Sequence, residues 1–188
     1  GYATFRIAET TRMILFMGGA ILFFGFFPVT PIQIVLLALL NDIAIMTISV
    51  DNVPTPHRPV RWDMTRVLTM AGYVGIGGVL FTVLLLWLTR TYLDVSFAML
   101  QTMMFLKLLV AGHFTIFLTR NLGYFWEKPY PHWALVAALE GTQILGTLAA
   151  VYGFLIEPIG WPLALMVWAY ALVEMTILGI TKVWMMKL

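Results

Sequence analysis

The chain has 188 residues, of which 61% are hydrophobic and 11% charged, with a mean hydropathy of +0.92 and a formal net charge of +2. Soluble domains carry about 25% charged residues, so this composition excludes a soluble enzyme and predicts an integral membrane protein. The small net charge gives no basis for nucleic-acid binding, and the lack of cysteine excludes disulfides, thiolate metal sites and cysteine nucleophiles.

Six apolar segments are long enough to span a bilayer, at about 3–27, 31–50, 67–89, 98–119, 133–156 and 161–185. They predict an all-α membrane protein: one domain over 1–188, a six-transmembrane-helix bundle. The chain opens directly on an apolar helix without a cleavable leader pattern, which predicts a piece of a longer protein. The first span begins Gly1-Tyr2-Ala3-Thr4-Phe5-Arg6-Ile7-Ala8-Glu9-Thr10-Thr11-Arg12, placing Arg6, Glu9 and Arg12 at three-residue steps along neighbouring helix faces. The second carries Asn41 and Asp42 in Leu39-Leu40-Asn41-Asp42-Ile43, about 16 Å from its start at Pro31 and so near the middle of a hydrocarbon core about 30 Å thick. A charged carboxylate there costs about 2.5 to 3.5 kcal/mol, so such a residue handles an ion or proton or is neutralised by a cation. Arg6, Glu9 and Arg12 sum to +1, and Asp42 brings the set to zero. Counted inward from the shared Pro28–Pro31 end of two antiparallel spans, Arg12 lies about 8 Å from Asp42 along the axis and Arg6 about 17 Å, so Arg12 is the expected partner. The alternative is a structural ion pair that pins two helices.

After the second span, Pro54, Pro56 and Pro59 predict an extended link. The third span holds Gly72, Gly75, Gly77 and Gly78, and the fifth Gly141 and Gly146, small residues that let helices approach closely. A phosphate-binding glycine loop would need a preceding strand. Lys107, Glu140 and Glu174, in the fourth, fifth and sixth spans, fall at similar depths and are expected to meet in a polar cluster of structural character. His113 reads as scaffold, and no spacing resembles a metal set. Arg58, Arg61 and Arg66, then Arg120 and Lys128, then Lys182 and Lys187 crowd the links on one side, against Arg90 on the other, which predicts cytoplasmic N- and C-termini. Trp62, Tyr124, Trp126, Tyr130, Trp133 and Trp184 on that side, with Trp87, Tyr92 and Trp161 opposite, read as aromatic belts.

The runs Phe5-Arg6-Ile7-Ala8-Glu9-Thr10-Thr11-Arg12 and Leu39 to Val53, with Phe117-Leu118-Thr119-Arg120 closing the fourth span, resemble helices five, six and eight of P-type ATPases of the plasma-membrane proton-pump family. The likeness runs along the whole chain and implies its C-terminal membrane half, helices five to ten. It implies that Asp42, with Asn41 beside it, is the proton-binding carboxylate. An arginine of the first span, at either position that branches of the family favour, Arg6 or Arg12, would be its counter-charge. An acid found in the fungal eighth helix is replaced by Gly112. The short end after Leu188 fits prokaryotic members better than plant or fungal ones.

The family's Asp-Lys-Thr-Gly-Thr phosphorylation motif does not occur in the chain, nor do counterparts of helices one to four or of the cytoplasmic domains. No cofactor is therefore expected in this chain, and ATP and Mg2+ are implied for those domains. The implied partners are the lipid bilayer, the missing parts of the same pump, and protons, in a multi-pass plasma-membrane protein. Two other readings are a stand-alone secondary transporter or channel and a structural membrane module.

Overall fold

The computed structural model describes residues 2–52 and 63–187. Its six long helices are α1 (Tyr2–Gly19), α2 (Pro31–Met46), α3 (Met64–Tyr92), α4 (Phe97–Thr119), α5 (Trp133–Tyr152) and α6 (Gly160–Lys187). A π-helical turn at Ala20–Phe24 extends α1, and a 3-10 turn at Thr47–Val50 extends α2. All six are long and apolar enough to cross a membrane, and no strand occurs among the described residues. Pro54, Pro56, Arg58, Pro59, Arg61 and Trp62 lie outside the described residues.

Local chemistry sets the boundaries. Thr30 and Gln33 form a reciprocal capping box ahead of α2, with Pro31 in the first turn, where its missing N–H costs nothing. The Asp63 carboxylate accepts from the Arg66 N–H, so α3 begins at Met64, three residues before the expected start. Ser96 caps α4 through the Met99 N–H. The α5 helix stops at Tyr152 because Gly153 turns left-handed at φ 80°, four residues short of the expected 156.

The α4 helix is the axis of the bundle, buried nearly all round, with the other five helices packed on it. Beyond that shared contact, α1 packs chiefly on α3, α2 on α5, and α6 on α3 and α5. Gly75 lets α3 close on α1, since a Cβ there would stand 3.0 Å from the Ala8 carbonyl oxygen. Phe5 packs with Ala44, Ile45, Ile116, Leu135 and Leu139, which puts the start of α1, the end of α2, the end of α4 and the start of α5 on one side of the bundle. The end of α6 joins them: Lys187 lies 5.9 Å from the Tyr124 ring. On the opposite side Arg90 stands 5.2 Å from the Phe26 ring, and Tyr152 packs edge-on to Trp161.

Candidate cation-handling site

Asn41 and Asp42 are adjacent, so about 100° of helix separates their side chains. Asn41 turns into the bundle and is buried, while Asp42 turns outward with a side chain 63% exposed. Its partner is Arg6, not the expected Arg12: Arg6 Nη1 lies 3.7 Å from Asp42 Oδ1, with the Arg6 side chain 48% exposed. The pair is loose because α1 rests on α3 and α4 while α2 rests on α5 and α4, leaving the two charges to meet across a gap.

Arg12 is directed elsewhere. It is 2% exposed, pairs with Glu9 one turn back, and its Nη1 lies 3.4 Å from Thr115 Oγ1. Two absent side chains make room for it. A Cβ on Gly78 would meet Arg12 Cδ at 2.9 Å, and one on Gly112 would meet Nη2 at 2.9 Å and Glu9 Oε1 at 3.3 Å. Depth counting favoured Arg12 because it overestimated the axial distance between Arg6 and Asp42 and left azimuth out. Six residues turn a helix through about 600°, so Arg6 and Arg12 point about 120° apart and cannot both face α2.

The second expected cluster forms only in part. Lys107 Nζ lies 2.9 Å from Glu174 Oε2 and also donates to Thr82 Oγ1 and to the Gly78 carbonyl, which joins α4, α6 and α3. Lys107 is wholly buried and Glu174 nearly so. Glu140 is not among their ion-pair or hydrogen-bond partners and is half-buried on α5. Counted from the shared end of the bundle, Glu140 lies about 10 Å in and Lys107 about 18 Å, an offset that fell inside the tolerance of the depth estimate. Gly78 touches both ion pairs, since its Cβ would also stand 3.6 Å from Glu174 Oε1.

Two polar junctions escaped the sequence reading. Asp51 accepts two hydrogen bonds from Arg120, from Nε and Nη2, both at 3.0 Å, and a third from the His132 N–H at 3.0 Å. Arg120 Nη1 donates to the Pro129 carbonyl at 2.7 Å. This clasp ties the end of α2 to the α4–α5 link. Burial pushes the Asp51 carboxyl up, but the hydrogen bonds from Arg120 and His132 and the guanidinium charge together hold it below the ordinary 3.8. Asp51 stood in the segment that carried the resemblance, but Arg120 was counted only as a positive charge on a link. Lys182, expected at the interface, is buried instead and donates to the carbonyls of Leu118, Asn121 and Gly123, capping the end of α4.

No three His, Asp or Glu side chains converge in a metal-ligating group among the described residues. No protein-family model matches the chain. Its sequence is 44% identical over 186 residues to a "Putative cation-transporting ATPase" of Methanocaldococcus jannaschii, covering 99% of this chain and 23% of that protein. It is 29% identical over 156 residues to Plasma membrane ATPase 2 of Saccharomyces cerevisiae, covering 81% of this chain and 16% of that one. Against Plasma membrane ATPase 2 of Schizosaccharomyces pombe the identity is 28% over 162 residues, covering 81% and 15%. The chain is homologous to these ATPases. It spans less than a quarter of the length of these relatives. Its match along nearly the whole chain and its six spanning helices are consistent with the C-terminal membrane region of a P-type ATPase, the ion-pump membrane part of a multi-pass membrane protein. Within this bundle, Arg6 and Asp42 form an ion pair that is open on the outer face, and Glu9, Arg12, Lys107 and Glu174 are enclosed.

Proposed function

We propose that the chain is the membrane half of an ATP-driven proton pump in which Asp42 binds and releases the transported proton and Arg6 is its counter-charge. The observation that carries this reading is the outward-facing Asp42 carboxylate, more than half of the way along a spanning helix, with one guanidinium 3.7 Å away. A carboxylate in that position is costly against lipid, so its face needs a cover of protein or water. In an intact pump the remaining helices and cytoplasmic domains, with their ATP and Mg2+, would supply that cover and the driving force.

The chemistry then runs through two groups of this chain. Asp42 takes a proton when it is withdrawn from water and from Arg6, because desolvation favours the neutral acid. Approach of the Arg6 guanidinium, which stays charged, favours the carboxylate and expels the proton. The Arg12–Glu9 pair neutralises itself and takes no cargo in this scheme. One carboxylate with one arginine suits a proton better than calcium, which takes six to eight oxygen ligands. The positive links after α2 and α4 and both chain ends would face the cytoplasm.

The test is reconstitution of the intact pump in vesicles with a pH dye inside. The proton reading expects ATP-driven acidification that needs no added metal cation beyond the Mg2+ that accompanies ATP and is lost in Asp42→Asn, which keeps the side-chain volume but cannot exchange a proton. ATP-driven accumulation of a metal cation without acidification would overturn it.

A further inference from the structure

On the inner side of the α2 turn that carries Asp42 lies a buried polar group used by neither ion pair. His113 of α4 is 0% exposed, and neither ring nitrogen has a hydrogen-bond partner. Gln143 of α5 is also 0% exposed, with both its amide nitrogen and its oxygen unpartnered. Asn41 of α2 is 7% exposed, and its Oδ1 is unpartnered. Asn41 and Gln143 thus contribute three orphan polar atoms beside a buried imidazole whose nitrogens have only backbone carbonyls near them. Native interiors leave few such atoms unsatisfied, so several at one junction require explanation.

The backbone around His113 defines what would fit there. The imidazole is flanked by the carbonyls of Leu40 from α2 and Leu139 from α5. Leu40 precedes Asn41, and Gln143 follows Leu139 by one helical turn, so the carbonyls and the amides belong to the same two turns. The three helices meet again at Gly146, whose Cβ would run into Leu109 of α4 and Leu40 of α2. A neutral imidazole has one N–H and one lone pair. Between two carbonyl oxygens it can satisfy one of them, and its lone pair is then left facing an acceptor. The fitting third party is a small species that donates to that lone pair and accepts from an amide N–H. Water does both, and buried water characteristically makes about three hydrogen bonds to groups otherwise unpaired. The charged group that acts on His113 is the Arg12 guanidinium from α1, and Glu9 already holds it.

We propose that Asn41, His113 and Gln143, with the carbonyls of Leu40 and Leu139, form an internal water-binding site between α2, α4 and α5. It would leave α2 polar on both sides of one turn, Asp42 outward and a hydrated Asn41 inward. The site does not depend on the proton reading of Asp42.

The experiment is water-edited solid-state NMR of the full chain in phosphatidylcholine bilayers, with ring-labelled histidine assigned through loss of the His113 signal in His113→Gln. Magnetisation is expected to pass from water to the His113 ring on the timescale seen for the half-buried His132. In Gln143→Leu or Asn41→Leu that transfer should fall several-fold, whichever of the two variants folds. Asp42→Asn should leave it unchanged, so failure of the cargo assignment and failure of this site are separable. A His113 ring that receives no magnetisation from water and keeps its N–H for days in D2O would overturn the proposal.

Discussion

Arg6 and Arg12 share a side chain and a helix, yet their surroundings give them opposite weights. Arg12 and Glu9 are both nearly excluded from solvent, so Arg12→Gln strands a buried carboxylate and should destabilise the fold by about 3 to 5 kcal/mol. Arg6 and Asp42 are about half exposed, and Arg6→Gln should cost at most about 1 kcal/mol while altering transport. Denaturant or thermal unfolding in detergent, run on both variants, checks the contrast. Gly78 and Gly112 follow from the same geometry. A methyl group at either would stand 2.9 Å from Arg12, and the guanidinium cannot yield freely because Glu9 holds it. Gly78→Ala and Gly112→Ala should each cost about 1 to 3 kcal/mol, the first by meeting the middle of the side chain and the second by meeting its held end. Equal wild-type stability in both alanine variants would show that Arg12 has another place to go.

At the scale of the helices, the Asp51–Arg120 clasp fixes where α2 ends. Its carboxyl titrates below the ordinary 3.8 in the folded protein, so its contribution is fully present above that value and is lost as pH falls through the lowered one. Stability from this clasp should therefore be flat between about pH 5 and pH 8 and decline only below 3.8. Asp51→Asn should remove the acid-dependent part and lower stability at neutral pH, measurable as a melting temperature in detergent across that range. Lys107 and Glu174 behave as a buried pair. Lys107→Met alone should cost about 3 to 5 kcal/mol, whereas Lys107→Met with Glu174→Leu can be nearly neutral, because the stranded charge goes too. Helix existence and order were legible in the sequence because hydropathy, caps and lipid thickness are local properties. Depth was legible only coarsely: it brought Lys107 and Glu174 together, but it put Glu140 with them and set Arg6 about 17 Å from the Asp42 that it meets. Azimuth was not, because it is set from far along the chain: Arg12 is turned by gaps at Gly78 and Gly112, and Asp51 finds its partners at Arg120 and His132. The carboxylate pattern around Asp42 was readable, whereas its partner depended on which faces α1 and α2 present.

For the whole molecule, the contrast between enclosed and open charges is the organising feature. The α4 axis and its neighbours bury three ion pairs and the polar junction at His113, while the face formed by α1 and α2 leaves Arg6 and Asp42 uncovered. A pump needs one carboxylate whose environment can change and others whose environment cannot. The most direct measurement is ATP-driven acidification of vesicles by the intact pump in four isosteric variants, Asp42→Asn, Glu9→Gln, Glu140→Gln and Glu174→Gln, each normalised to the amount of folded protein. Asp42→Asn is expected to be silent while the other three keep transporting, with Glu9→Gln and Glu174→Gln less stable. Transport by Asp42→Asn together with its loss in Glu140→Gln would contradict the assignment and move the cargo site to α5.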